Sequence, residues 1–117
     1  MDKPIKRREL YNYTATVERI IDADTVEFTI DVGFKTYMRM NMRLAGIDAP
    51  EMKTQEGKDA KAWLEGQLPI GHEVTLSVYK VADKYGRYLA YVTYNGTDMN
   101  QELIKNGHAV EYWGGKR

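Results

Sequence analysis

The spacing of the apolar residues constrains the fold of this chain more than any other feature. Residues 25–30 alternate strictly, with Val26, Phe28 and Ile30 on one face, which is the pattern of a half-buried strand. A turn at residues 31–33 separates this strand from a longer one that follows. Strand patterns are also predicted over residues 13–21, 37–44, 73–80 and 87–94.

The third of these strands has two distinct faces. One face carries a row of apolar residues, namely Met38, Met40, Met42 and Leu44. The opposite face carries Tyr37, Arg39, Asn41 and Arg43. Because side chains alternate across a strand, Arg43 is predicted to point away from the apolar row.

After Pro50 the spacing becomes helical. Apolar residues recur at three- and four-residue intervals over residues 54–68, which predicts an amphipathic helix that ends before Pro69 and Gly71. A turn at Asn95-Gly96 follows the fifth strand. A second, short helix then carries Met99, Leu103 and Ile104, with Asp98 or Asn100 as its cap and Gly107 as its stop.

The predicted elements give a mainly β domain of the α+β type. Three strands, a helix, two strands and a short helix fit a small antiparallel barrel, and the five-stranded OB-fold has this order. We predict one domain over residues 13–117, preceded by a basic and flexible segment over residues 1–12. That segment contains four cations, Lys3, Lys6, Arg7 and Arg8.

Composition excludes several classes of protein. The chain has no cysteine, so disulfides and thiolate metal sites are excluded, and no apolar stretch is long enough to span a membrane. The first residues lack the apolar core of a secretory signal, so we expect a cytoplasmic protein or a secreted one that lacks its signal. The 17 basic and 17 acidic residues cancel, so attraction for phosphate must come from local clusters. We also expect a monomer.

Four carboxylates fall where strands end. Asp22 and Asp24 lie between the first two strands, and Asp48 and Glu51 follow the third. In a chain with two histidines and no cysteine, such a set favours a hard cation such as calcium or magnesium. The alternative is that the first two form a turn and the other two are surface charges.

Two arginines are also candidates for the site. One lies in the same segment as two of these carboxylates, and the other lies in a separate turn. Arg43 begins the segment RLAGIDAPE, residues 43–51, and Arg87 ends the segment DKYGR, residues 83–87. Arginine suits phosphate because its planar fork donates two hydrogen bonds and keeps its charge. The second segment is equally compatible with a plain turn.

Together these segments resemble a known family. IDADTV at residues 21–26, RLAGIDAPE at 43–51 and DKYGRYLAY at 83–91 are similar to the signature blocks of the staphylococcal nuclease family. The similarity continues through residues 99–107 and 109–112 and covers nearly everything from Tyr13 to Tyr112 in order. The OB-fold of that family agrees with the order of elements predicted above.

The resemblance implies a role for each site residue. Asp24, Asp48 and the backbone carbonyl of Ala49 would bind Ca²⁺, with Asp22 in the outer shell. Glu51 would be the general base that activates or orients the attacking water. The remaining implied roles are phosphate binding by Arg43 and Arg87 and nucleotide contacts by Lys84, Tyr85 and Tyr112.

These roles imply a calcium-dependent endonuclease that hydrolyses phosphodiester bonds of DNA, RNA or both. A cation and two arginines would stabilise the charge that develops on phosphate, at ~3–4 kcal/mol per well-placed donor. Two alternatives are a nuclease-like module without catalysis and an OB-type protein that binds oligonucleotides by stacking on tyrosines. The loop between Glu51 and the predicted helix is short, since only Met52 and Lys53 separate them.

Overall fold

The computed structural model describes residues 10–113, and the alternating apolar residues form the inside of a barrel. The basic cluster Lys3, Lys6, Arg7 and Arg8 lies outside the described residues. The strands are β1 (Leu10–Asp22), β2 (Thr25–Asp31), β3 (Tyr37–Leu44), β4 (Ile47–Asp48), β5 (Glu73–Tyr79), β6 (Leu89–Tyr94), β7 (Thr97–Asp98) and β8 (Val110–Glu111). The helices are α1 (Gln55–Gln67) and α2 (Met99–Lys105).

Five long strands close into a ring. The sheet order is β3-β2-β1-β5-β6-β7, and β3 also pairs with β6. All pairings in the ring are antiparallel except the closing one, in which Arg43 lies beside Leu89 and Leu44 beside Ala90. A closed five-stranded barrel with two helices confirms the predicted OB-fold.

The core fills the barrel from the predicted faces. Val26, Phe28 and Leu76 are 0% exposed, and Leu64 of α1 belongs to the same core cluster at 0% exposure. Burial of one such side chain contributes about 1.5–3 kcal/mol. The methionine row of β3 is buried only toward its end, because Met42 is 3% exposed whereas Met38 is 49% exposed.

Most element boundaries lie close to the predicted ones. Thr54 caps α1 by accepting the N–H of Gly57 at 3.0 Å, and Leu68 follows the last helical residue. Asp98, rather than Asn100, caps α2. The turn residues Asn95 and Gly96 both have positive φ, as a tight hairpin turn requires.

Some boundaries differ from the prediction. β1 begins at Leu10, three residues earlier than the pattern indicated, and β6 begins at Leu89 rather than Arg87. Three two-residue strands, β4, β7 and β8, were not predicted, since two residues show no periodicity. Within residues 10–113, no helix is long and apolar enough to cross a membrane.

Candidate active site

The guanidinium of Arg43 lies between two carboxylates from different parts of the chain. Strand pairing places Arg43 opposite Thr25, immediately after Asp24, and Asp48 ends β4. Arg43 Nη1 is 3.1 Å from Asp24 Oδ2, and Nη2 is 3.4 Å from Asp48 Oδ1. The three side chains are 11%, 12% and 13% exposed, so solvent and salt screen these ion pairs weakly.

Asp24 has the most perturbed acidity at this site. Its Oδ2 accepts the N–H of Ala49 at 2.9 Å, which joins the β1–β2 turn to the segment after β4. Burial, followed by the side chain of Asp22, raises the pKa of Asp24 to about 6, although the Ala49 amide and the Arg43 guanidinium oppose the shift. The ionised form is therefore costly here, and a bound cation would favour it.

Asp22 supports the turn that carries Asp24. Its Oδ1 accepts the backbone N–H of Asp24 at 3.1 Å, which is a local turn hydrogen bond of the kind aspartate commonly makes. Asp22 thus holds the turn that carries Asp24 and also acts on the carboxyl group of Asp24. The outer-shell role of Asp22 stays a prediction.

The oxygen donors suit a hard divalent cation. Asp24 and Asp48 converge on a single guanidinium, and Ala49 is bonded to Asp24 through its amide. Among residues 10–113, no group of three histidine, cysteine, aspartate or glutamate side chains could hold a metal. A cation here would need backbone, water or substrate oxygens as further ligands. Calcium accepts such a mixed and flexible shell.

The second arginine is held by its own turn. Asp83 Oδ1 accepts the N–H groups of Tyr85 and Arg87, each at 2.9 Å, and Oδ2 is 3.0 Å from Arg87 Nη2. Burial acts to raise the pKa of Asp83, but the two backbone N–H groups and the Arg87 guanidinium leave it below its usual value. Arg87 also lies 5.2 Å from the ring centroid of Tyr85. The turn thus fixes the direction of the arginine.

One cavity of about 570 Å³ is lined by all five residues that were predicted to contact the phosphate or the nucleotide. It is bordered by Arg43 from β3, by the 83–87 turn and by the segment after β8. The predicted residues that line it are Arg43, Lys84, Tyr85, Arg87 and Tyr112. Both arginines therefore face the same space, and Tyr85 offers a ring that is 70% exposed.

Glu51 stands apart from this group. Its side chain is 70% exposed and lies 3.3 Å from Lys53 Nζ, and it does not line the cavity. It follows Asp48 by three residues, so it belongs to the same loop as the carboxylate that contacts Arg43. The structure therefore brings Asp24, Arg43 and Asp48 into contact but does not bring Glu51 to the arginines.

Sequence reasoning missed the role of Asn100, whose side chain holds the backbone next to the site. This residue is 1% exposed. Its amide donates to the carbonyls of Ala45 and Ala90 at 2.9 and 3.0 Å, and its side-chain oxygen accepts the N–H of Val92 at 3.1 Å. It thereby ties the end of β3, two residues past Arg43, to β6. In the sequence, the only signal was an asparagine two positions after the better cap residue, Asp98.

Comparison of the sequence with known proteins gives matches over most of the chain. A family model described as staphylococcal nuclease homologue matches residues 41–116. Endonuclease YhcR of Bacillus subtilis (strain 168) is 33% identical over 114 residues, which covers 86% of this chain and 9% of that protein.

Two further relatives have similar levels of identity. A probable staphylococcal-like nuclease of Oryza sativa subsp. japonica is 37% identical over 74 residues, 63% of this chain and 20% of that protein. An uncharacterized endonuclease of Escherichia coli O157:H7 is 32% identical over 97 residues, 82% of this chain and 59% of that protein. This chain thus spans less than two thirds of each of these relatives.

Proposed function

Since the chain belongs to the staphylococcal nuclease family, we propose that it is a calcium-dependent endonuclease that hydrolyses phosphodiester bonds of DNA, RNA or both. The observation that carries this proposal is the placement of Arg43. Its guanidinium contacts the carboxylates of Asp24 and Asp48 and also lines the cavity that Arg87 lines. The proposed cation site and the proposed phosphate site would therefore adjoin each other.

The two arginines bind the scissile phosphate in this proposal. Attack by water on a phosphodiester adds negative charge to oxygens that are already anionic. Arg43 and Arg87 provide fixed forks of N–H donors from a strand end and a braced turn, and such preorganised donors lower the barrier because they need little rearrangement. Each well-placed donor contributes about 3–4 kcal/mol.

Asp24, Asp48 and the carbonyl of Ala49 would hold the calcium ion, with Asp22 outside them. When bound, the ion supplies positive charge beside the phosphate. The carboxylates of Asp24 and Asp48 both contact Arg43. The raised pKa of Asp24 indicates that its ionised form is costly, so Asp24 favours a cationic partner. Arg43 neutralises both carboxylates in the absence of the ion.

Glu51 acts as the general base or orients the attacking water. Its carboxylate is exposed and is therefore accessible to water and substrate. Among the contacts described for this side chain, it pairs with Lys53 alone. A carboxylate positioned as a general base typically raises the reaction rate about 10²–10⁴-fold. No covalent nucleophile is needed.

Lys84, Tyr85 and Tyr112 bind the nucleotide around the scissile phosphate. Lys84 and Tyr85 project from the same turn as Arg87, and the Lys84 ammonium lies 5.3 Å from the Tyr85 ring centroid. Tyr112 is anchored through its backbone N–H, which donates to Gly46 at 2.9 Å. Aromatic rings near cations suit a base and its phosphate, with stacking contributing about 1–3 kcal/mol per base.

The proposal is tested by incubating single-stranded DNA and single-stranded RNA with the protein in calcium, in magnesium and in chelator. We expect cleavage in calcium, none in chelator and poor recovery in magnesium, whose octahedral geometry is stricter. Undiminished cleavage in chelator would contradict the metal site. Binding of the oligonucleotides without cleavage would indicate the non-catalytic module instead.

A further inference from the structure

The backbone of Glu51 is bonded to the start of helix α1. The Thr54 N–H donates to the Glu51 carbonyl oxygen at 3.0 Å, and the Thr54 hydroxyl donates to the same oxygen at 2.6 Å. The Glu51 side chain, by contrast, is 70% exposed and touches only another exposed residue, Lys53, among its described contacts. The direction of the carboxylate therefore depends on how its backbone is held.

The Thr54 hydroxyl connects Glu51 to the first turn of the helix. It is the N-cap and accepts the backbone N–H of Gly57 at 3.0 Å while it donates to Glu51. One hydroxyl thus serves both as donor to the loop and as acceptor for the helix. A residue that caps the helix without a donor would keep only the second of these bonds.

Gly57 allows the loop to lie directly against the helix. It is buried in the first turn of α1, where glycine is less favourable than alanine by about 1 kcal/mol. A β-carbon at this position would overlap the Glu51 carbonyl oxygen and would lie 2.5 Å from the Glu51 carbonyl carbon and 2.8 Å from the Pro50 oxygen. These are backbone atoms, so no rotamer change relieves the overlap.

We propose that Thr54 and Gly57 are positioning residues that fix Glu51 for water activation. This inference rests on the role given to Glu51 in the proposed function. A side chain at 57 must displace the segment that carries the base, and a misplacement of about 1 Å can cost about 10²-fold in rate. Helix α1 and its cap Thr54 therefore contribute to catalysis through their contacts with the backbone of Glu51.

The matched test compares Gly57→Ala with Gly66→Ala in the same helix. Gly66 is exposed, and a β-carbon there has no neighbour within 4 Å. We expect Gly57→Ala to lower kcat about 10- to 10²-fold with KM changed less than about threefold. Gly66→Ala should leave both constants unchanged. Circular dichroism and thermal unfolding would verify that the compared variants are folded.

A double-mutant cycle separates positioning from a general structural defect. If Gly57 acts through Glu51, Gly57→Ala should have little further effect on kcat in a Glu51→Gln background, so that the two effects are strongly non-additive. A general defect would lower kcat by the same factor in both backgrounds. Additive effects would therefore overturn the inference.

Thr54 provides a second test that does not depend on the folding of Gly57→Ala. Thr54→Ser keeps both hydroxyl bonds and should retain wild-type kcat. Thr54→Val removes both bonds and should lower kcat about 10-fold or more. If wild type cleaves and requires Glu51, but Gly57→Ala or Thr54→Val is folded and keeps full kcat, the inference is wrong. If wild type does not cleave at all, the proposed function itself fails.

Discussion

At the scale of single residues, the arginines of β3 differ in their surroundings. Arg39 is 61% exposed and pairs with Glu27 at 3.2 Å and Glu18 at 3.9 Å on the outer surface. Arg43 is 11% exposed and contacts Asp24 and Asp48. Exposed ion pairs contribute about 0–1 kcal/mol to the free energy of unfolding. Arg39 is therefore a suitable control when the functional role of Arg43 is tested.

Replacement of Arg43 or Arg87 by lysine should reduce catalysis. Lysine keeps the charge but loses the planar fork, and loss of one charged hydrogen bond costs about 1.5–3 kcal/mol, equivalent to roughly 10- to 10²-fold in rate. Arg39→Lys should be nearly silent. Single-turnover cleavage rates, with unfolding measured in parallel, test this. Equal losses at all three positions would mean that the arginines form a diffuse basic surface.

The raised pKa of Asp24 predicts a particular dependence of stability on pH. Its value is about 6 in the folded protein, above the ordinary 3.8, so the folded state holds this proton more tightly. Between pH 4 and 6 the contribution of Asp24 to stability therefore falls as pH rises. In chelator, the free energy of unfolding of wild type, measured with urea, should fall relative to that of Asp24→Asn as the pH rises from 4 to 6. A constant difference between the two proteins would show that burial does not perturb Asp24.

At the scale of secondary-structure elements, Asn100 joins β3 to β6 through three backbone bonds. Asn100→Ala removes this buried partner from the Val92 N–H and the Ala45 carbonyl. The Ala90 carbonyl, by contrast, still accepts the Ala45 N–H at 2.8 Å. Each buried group left unsatisfied costs about 1–3 kcal/mol. We expect a loss of about 2–4 kcal/mol in the free energy of unfolding. The control is Asn106→Ala, which removes one exposed bond to Glu102 and should cost less than about 1 kcal/mol. A similar small loss at both positions would contradict the bracing role.

Elements with long periodic patterns were predicted from the sequence, whereas short elements without such a pattern were not. The alternation in residues 25–30 and the helical spacing in 54–68 gave β2 and α1 almost to their ends, because one face of each packs on the core. The paired strands β4 and β8 have two residues each, too few for a period. Asn100 was missed because its partners are backbone groups from distant strands, which no local pattern reveals.

The same limit applies to the candidate site. Short motifs indicated which residues are expected to carry chemistry, whereas the contacts between these residues depend on strand register. Arg43 reaches Asp24 because β2 and β3 pair Thr25 with Arg43. The close approach of Gly57 to Glu51 depends on the packing of a loop on a helix, so the residues alone do not predict it.

At the scale of the whole molecule, calcium should stabilise the folded protein. A ligand that binds only the folded state adds about 2.7 kcal/mol to the free energy of unfolding when its free concentration is about 100 times its Kd. Calcium should therefore raise the Tm of wild type and should have little effect on Asp24→Asn or Asp48→Asn. Asp59→Asn, at an exposed position on α1, should respond to calcium as wild type does. An equal rise in Tm for all four proteins would place the ion elsewhere.

The charge balance of the molecule also bears on its action. With 17 basic and 17 acidic residues, the overall field gives no net attraction for a polyanion. In the proposed function, substrate is captured in the cavity bordered by Arg43, Lys84 and Arg87, and salt should weaken binding through these few contacts.

The most direct measurement of the central claim is the single-turnover cleavage of single-stranded DNA or RNA in calcium by wild type and by Glu51→Gln. Glutamine keeps the shape and hydrogen bonding of the side chain but cannot accept a proton. We predict that cleavage falls by ~10²-fold or more, while substrate affinity and Tm stay close to wild type. A Glu51→Gln protein that cleaves at nearly the wild-type rate would contradict the account, because another group would then activate the water.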